Sequence, residues 1–502
     1  MHVNKKRLGI AAIILILLVA TYYGFLREPS DFEESAARRI AKDCPRYIID
    51  VDFDPDEKRI EGTQEVIIKN TEMVELTELY FHLYPNAFKT PDAAPFPKTE
   101  FASAYPDGFS PGYINIKKVT GVSGPLEYEV EDTILKVVLD KPLKPQQQIK
   151  LTLEFTEVIP PSYGRFGYGQ NTYNIANWYP ILAVYDENGW NKDPYYAVGD
   201  PFYSDVGLYE VKIKAPKEYT IAAGGSLSDK KQDGAYNIWT FKTGLVRDFA
   251  WVAGSKFQTA SDMVDGVKIT SFYMKEDAVY GKKALEYAKK AIKFYSEYFA
   301  KYPYKEYTVA ASDFYIGGME YPNLVMIGRQ FYNDGDLLEY VVVHETAHQW
   351  WYGLVGNNEV KEPWLDEALT EYSTVLYYEN VYGRKTGQRI YEDFIYNPYR
   401  FYEQSLGRLP GPVLRPLEEF STWGEYDAIV YSRGAIMLKQ LESSIGKEKF
   451  REALRFYFRQ NIYKNATTAD FIKAVNKATG ADWTDYIYNK MLKNTQPLQK
   501  AA

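Results

Sequence analysis

Apolar and polar residues alternate along much of the first half of the chain. Ile149, Leu151, Leu153 and Phe155 take every second position, as do Tyr209, Val211, Ile213 and Ala215. A period of two is that of a strand with one buried face. Turn-forming clusters interrupt these runs at Asp54-Pro55-Asp56, Pro160-Pro161, Glu187-Asn188-Gly189 and Asp233-Gly234. Short strands with such punctuation from Tyr47 to about Phe257 predict an antiparallel β-sandwich or saddle.

The period changes near residue 280. Ala284, Ala288, Ala291, Ile292, Tyr295 and Phe299 form one helical stripe. A strand-like stretch follows from Tyr307 to Ile327. Amphipathic helices then continue to about Leu492, as in Phe450, Ala453, Leu454 and Tyr457. The fold expected is multidomain α+β: a β domain over 45–260, then an α-rich domain over 261–495. No repeat or low-complexity segment interrupts either part.

The N-terminus has a different pattern. Lys5, Lys6 and Arg7 precede an apolar stretch from Leu8 to Leu26, about the length of a transmembrane helix. A cleaved secretion signal has the same charge order, but no A-x-A site follows here. Residues 1–28 are therefore expected to be an uncleaved signal anchor, with 29–44 as a charged connector. By the positive-inside rule the bulk of the chain would lie outside the cytoplasm, held at the cell membrane by a single pass through the lipid bilayer at residues 8–26.

Composition narrows the chemistry. The net charge of −8 and the absence of a long basic run give no reason to expect nucleic acid. The single cysteine, Cys44, excludes an intramolecular disulfide and a cysteine-rich metal site. A metal, if bound, must use histidine and carboxylate.

The chain has four histidines, and two of them stand in His344-Glu345-Thr346-Ala347-His348. Residues four apart share a helix face, so both imidazoles can reach one ion while Glu345 reaches a water on it. Apolar residues lead in from Leu337-Leu338 to Val343, and Trp350-Trp351 follow, as in a buried helix. Buried imidazoles and a carboxylate need partners, and a metal supplies them. Glu367, in Trp364-Leu365-Asp366-Glu367-Ala368-Leu369, is a third ligand. Three ligands leave one position open, as a catalytic zinc site requires.

Four separated pieces together resemble the M1 metallopeptidases, a family that includes aminopeptidase N and leukotriene A4 hydrolase. They are His344-Glu345-x-x-His348 with eighteen residues between it and Glu367; the flanking His348-Gln349-Trp350-Trp351 and Trp364-to-Leu369 segments; Gly317-Gly318-Met319-Glu320-Tyr321, similar to G-x-M-E-N; and Tyr431-Ser432-Arg433-Gly434, similar to Y-x-K-G. The resemblance covers roughly residues 45–495 and is strongest over 300–440. It implies a thermolysin-like catalytic domain binding one Zn²⁺ per chain through His344, His348 and Glu367. It further implies Glu345 as the base, Tyr431 as a donor to the oxyanion, and Glu320 as the carboxylate that holds a peptide's free α-ammonium.

Gly317, Gly318 and Met319 would line the substrate, with the glycines admitting a backbone close by; a plain loop after a strand is the alternative reading. Glu371, one turn after Glu367, reads as an acceptor for a ligand histidine or as a surface carboxylate.

The chain also departs from the family pattern. Tyr321, followed by Pro322, stands where the motif has Asn. The β domain lacks the family's usual Gln- and Arg-containing segment; the corresponding region is Asn177-Trp178-Tyr179-Pro180, and Gln170 is a guess for a second amine anchor. The chain ends where typical members continue into a helical C-terminal domain, implying a short form with an open cleft, or one covered by a homodimer or another partner. The expected activity is that of a membrane-anchored, zinc-dependent aminopeptidase acting on peptides with a free N-terminus. The alternatives are a less restricted endopeptidase and a non-catalytic binding module.

Overall fold

The computed structural model describes residues 29–406 and 409–496. A helix over Pro29–Ile40 leads into an eight-stranded sheet. The long strands Arg46–Asp54, Arg59–Lys69, Gln148–Val158 and Gly207–Pro216 form its middle. Their alternating burial matches the period-two pattern. The sheet is not wholly antiparallel: Arg46–Asp54 pairs in parallel with Gly207–Pro216. These strands lie some 150 residues apart, so no hairpin constrains their relative direction.

Two four-stranded sheets pack against this one through an aromatic core. Phe53 meets Trp251 edge-on at 5.3 Å, and Phe155 lies 6.3 Å from Trp178. Trp178 and Trp251 are fully buried.

The strands Gln258–Val264 and Val267–Tyr273 begin a separate five-stranded sheet with Glu306–Ser312, Leu324–Gly328 and, at its edge, Gly318–Met319. The helix Ala278–Tyr298 buries Ala284, Ala288, Ala291, Ile292 and Tyr295, the stripe read from the sequence. The helices Gly335–Ala347 and Trp364–Tyr382 lie at the centre of the helical half and are buried along most of their lengths. A strand-rich half thus precedes a helix-rich one.

One expectation is corrected. The membrane anchor at residues 8–26 lies outside the described residues, and among the described residues no helix is long and apolar enough to cross a membrane. Single-pass attachment to the cell membrane, and the extracytoplasmic placement inferred from it, are therefore not assigned.

Candidate metal centre

Asp334 caps the Gly335–Ala347 helix, its side chain accepting from the backbone N–H groups of Asp336 and Leu337. The assigned helix stops one residue short of His348, but His348 keeps helical angles, so the i, i+4 geometry of the two histidines holds. Leu338, Val342 and Val343 bury the opposite face. Glu367 comes from the first turn of the Trp364–Tyr382 helix, which packs alongside.

His344 Nε2, His348 Nε2 and Glu367 Oε2 converge. The two nitrogens are 3.2 Å apart, and the carboxylate oxygen lies 3.5 Å from His344 and 3.2 Å from His348. Ligand atoms about a tetrahedral zinc with bonds of about 2.0–2.1 Å stand about 3.3–3.4 Å apart. His348 Nδ1 faces the Trp351 carbonyl at 3.1 Å and the Thr370 hydroxyl at 3.1 Å. A carbonyl only accepts, so Nδ1 carries a proton and Nε2 is the nitrogen turned toward the cluster. Glu367 Oε2 is buried without a hydrogen-bond partner. This donor set fits a divalent ion such as zinc.

The electrostatics also call for positive charge. Burial works to lower the His348 pKa, but Glu320 and Glu367 push it up to about 10. His344 is likewise raised against burial, by Glu367 and Glu371. Burial works to raise Glu367, yet His348 and His344 hold it well below the usual carboxylate range. For Glu345, burial wins over the pull of His344 and moves the carboxyl up to about 8.

The remaining expected site residues gather around this cluster. Glu371 Oε2 lies 2.9 Å from His344 Nδ1, though not in line for a hydrogen bond, and its other oxygen accepts from Tyr340. Glu371 is buried, so the surface-carboxylate alternative is set aside. Tyr431 lies on a π-helical stretch, Asp427–Arg433. Its hydroxyl donates to Glu367 Oε1 at 2.5 Å, and its ring lies parallel to His344 at 5.8 Å. Glu320 follows the edge strand Gly318–Met319 and is buried, with Oε1 4.0 Å from His348 Nδ1. Gly318 backs directly onto Glu345, whereas Gly317 has open space where a side chain would go.

Gln170 is exposed, and no contact brings it to the cluster. The strand-rich half instead contributes Arg165 and Asp200, a buried ion pair. Burial pushes Asp200 up to about 7, against the pull of Arg165, with Glu320 and Glu367 adding to the rise. Neither residue belongs to a local motif. Their only sequence signal is ionisable character within an otherwise apolar, aromatic stretch.

Comparison with known proteins agrees with this geometry. Residues 283–491 match the family model described as the peptidase family M1 domain. The chain is 25% identical over 310 residues to "Probable aminopeptidase 2" of Sulfurisphaera tokodaii, covering 58% of this chain and 38% of that protein. It is 25% identical over 372 residues to "Aminopeptidase M1" of Arabidopsis thaliana, covering 66% and 40%. It thus spans about two fifths of the length of these curated relatives. The crystal structure of an M1 zinc metallopeptidase from Deinococcus radiodurans superposes with a TM-score of 0.66 at 17% identity, covering 92% of this chain and 96% of that one. The span that matches the peptidase family M1 domain holds His344, Glu345, His348, Glu367 and Tyr431, and the fold shared with the Deinococcus radiodurans structure extends over nearly the whole chain.

Proposed function

We propose that this chain is a zinc-dependent aminopeptidase that removes the N-terminal residue from peptides. The reading rests on one observation: the converging His344, His348 and Glu367 ligand atoms have Glu345 and Glu320, two further buried carboxylates, beside them. Curated relatives named as aminopeptidases, and a related structure described as bound to a Tyr-Ser-Ala substrate, support it.

In this reading His344, His348 and Glu367 hold the zinc. Bound zinc supplies a Lewis acid and brings the pKa of its water toward neutrality. Glu345, raised by burial toward the working pH, takes a proton from the attacking water and delivers it to the departing amine. Glu371 steadies His344. Tyr431 presents a hydroxyl donor beside the reacting carbonyl. Glu320 pairs with the substrate's α-ammonium, which a blocked N-terminus lacks. The Gly317-Gly318-Met319 edge strand receives the extended peptide backbone. A boundary near residue 260 between strand-rich and catalytic parts is consistent with Gln258–Val264 joining the catalytic sheet.

The test is a panel of amino-acid amides of a fluorogenic amine beside their N-acetylated forms, with metal content measured on the same sample. Chelator-sensitive cleavage of the free-amine forms alone is the expected result. Equal turnover of both forms would remove the exopeptidase assignment.

A further inference from the structure

The segment carrying Glu320 is anchored on both sides by the strand-rich half. Just before Glu320, Met319 Sδ receives Arg165 Nε at 3.0 Å, and Arg165 is fixed by its buried ion pair with Asp200. Just after it, the Tyr321 hydroxyl donates to Asn177 Oδ1 at 2.7 Å. Asn177 Nδ2 donates in turn to Asp248 Oδ2 at 2.8 Å. The other Asp248 oxygen accepts from the Tyr179 hydroxyl at 2.8 Å and the Phe249 backbone N–H at 2.6 Å. Tyr321 is wholly buried, and Asn177 and Asp248 nearly so.

On the catalytic side, Gln349 donates to the carbonyls of Glu320 and Tyr321 at 3.2 and 3.3 Å and accepts from the Asn323 N–H at 2.8 Å. These bonds hold the backbone but do not reach across to the strand-rich half.

Tyr321 is the residue that departs from the family motif, and its hydroxyl bonds to a residue 144 positions away in the strand-rich half. Asn177 has a backbone φ of 50°, a left-handed angle that asparagine tolerates. Every polar atom along this chain of bonds is buried, so shortening one member leaves its neighbour without a partner. We infer that Tyr321 is a positioning residue. Through Asn177 and Asp248 it ties the Glu320 segment to the strand-rich half, so that this half sets where the Glu320 carboxylate stands and how strongly a free amine is preferred. The inference rests on the reading of Glu320 as the amine anchor.

The test uses the full chain made inert by Glu345→Gln and loaded with zinc. Calorimetry gives the affinities for leucine amide and N-acetyl-leucine amide, with zinc content checked on each sample. Tyr321→Phe should weaken leucine amide by about tenfold or more, because a small displacement of a binding group is costly. The acetylated ligand and the zinc content should be unchanged. Asn177→Gly, which keeps the left-handed angle available, should act alike, and the double variant should bind no more weakly than either single one. Should Tyr321→Phe fail to fold, Asn177→Gly decides by the same ratio. Glu320→Ala is the reference. If it keeps the free-amine preference, the anchoring reading falls and this inference with it. If it loses the preference while Tyr321→Phe and Asn177→Gly keep theirs in full, the inference alone is overturned.

Discussion

Gly318 stands against Glu345 with no room between them: a Cβ on Gly318 would lie 2.3 Å from Glu345 Oε1. The edge strand and the carboxylate between the two histidines therefore fix each other's positions. Gly318→Ala should push Glu345 aside and lower kcat by about 10- to 100-fold while zinc remains bound. Gly317→Ala, with nothing within 4 Å of the added methyl, is the control and should stay near wild type. Steady-state kinetics and metal analysis on both variants check the pair.

Removing the Tyr431 hydroxyl takes a donor from Glu367 Oε1. Tyr431→Phe should lower kcat by about 100-fold, with a smaller change in KM, as expected for a donor used mainly in the transition state. A variant that raised KM alone would assign Tyr431 to substrate binding instead.

The buried Glu371 accepts from the half-buried Tyr340 behind His344. Glu371→Ala should weaken zinc binding by about 10- to 100-fold, and Tyr340→Phe should do so less. Competition with a chelator of known affinity measures both. Unchanged affinity in Glu371→Ala would make the pair purely structural.

Zinc binding should be coupled to proton release. With the His348 pKa raised to about 10 and His344 raised as well, both rings carry protons at pH 7 in the metal-free site and must lose them to bind zinc. Affinity should therefore rise with pH. Calorimetric titrations in buffers of different ionisation heat count the protons released. Saturating zinc at about 100 times Kd should stabilise the fold by about 2.7 kcal/mol, visible as a higher Tm.

Far from the site, Glu157 is fully buried on the Gln148–Val158 strand with neither oxygen hydrogen-bonded. Burial holds its carboxyl well above its ordinary value of 4.5. A raised folded pKa means its stabilisation is complete below the unfolded pKa and is lost as pH rises toward the folded one. Glu157→Gln should match wild type near pH 4 and exceed it at pH 7 to 8 by about 1–3 kcal/mol. Chemical denaturation at the two pH values reads the difference.

Much of the architecture was legible because its signals are local. Alternation at Ile149 to Phe155 and at Tyr209 to Ala215 predicts strands that the structure contains, and the alanine stripe predicts the Ala278–Tyr298 helix. Gln170 misled because chemical type alone does not say which way a loop residue faces. The parallel pairing of Arg46–Asp54 with Gly207–Pro216 was not legible either, since it joins strands distant along the chain.

The sequence by itself determined the convergence of His344 and His348. Four residues of helix carry both rings to one face, and no distant contact is needed for that. It also placed Glu367 within chain reach of them. Only the tertiary structure decided that Tyr431 meets Glu367 across 64 residues, that Gly318 rather than Gly317 is the glycine Glu345 requires, that Glu371 is buried behind His344, and that Tyr321 reaches Asn177 in the other half. These relations join residues that share no period and no motif. They arise when separate sheets and helices pack, and the need to satisfy buried polar groups then selects which side chains meet.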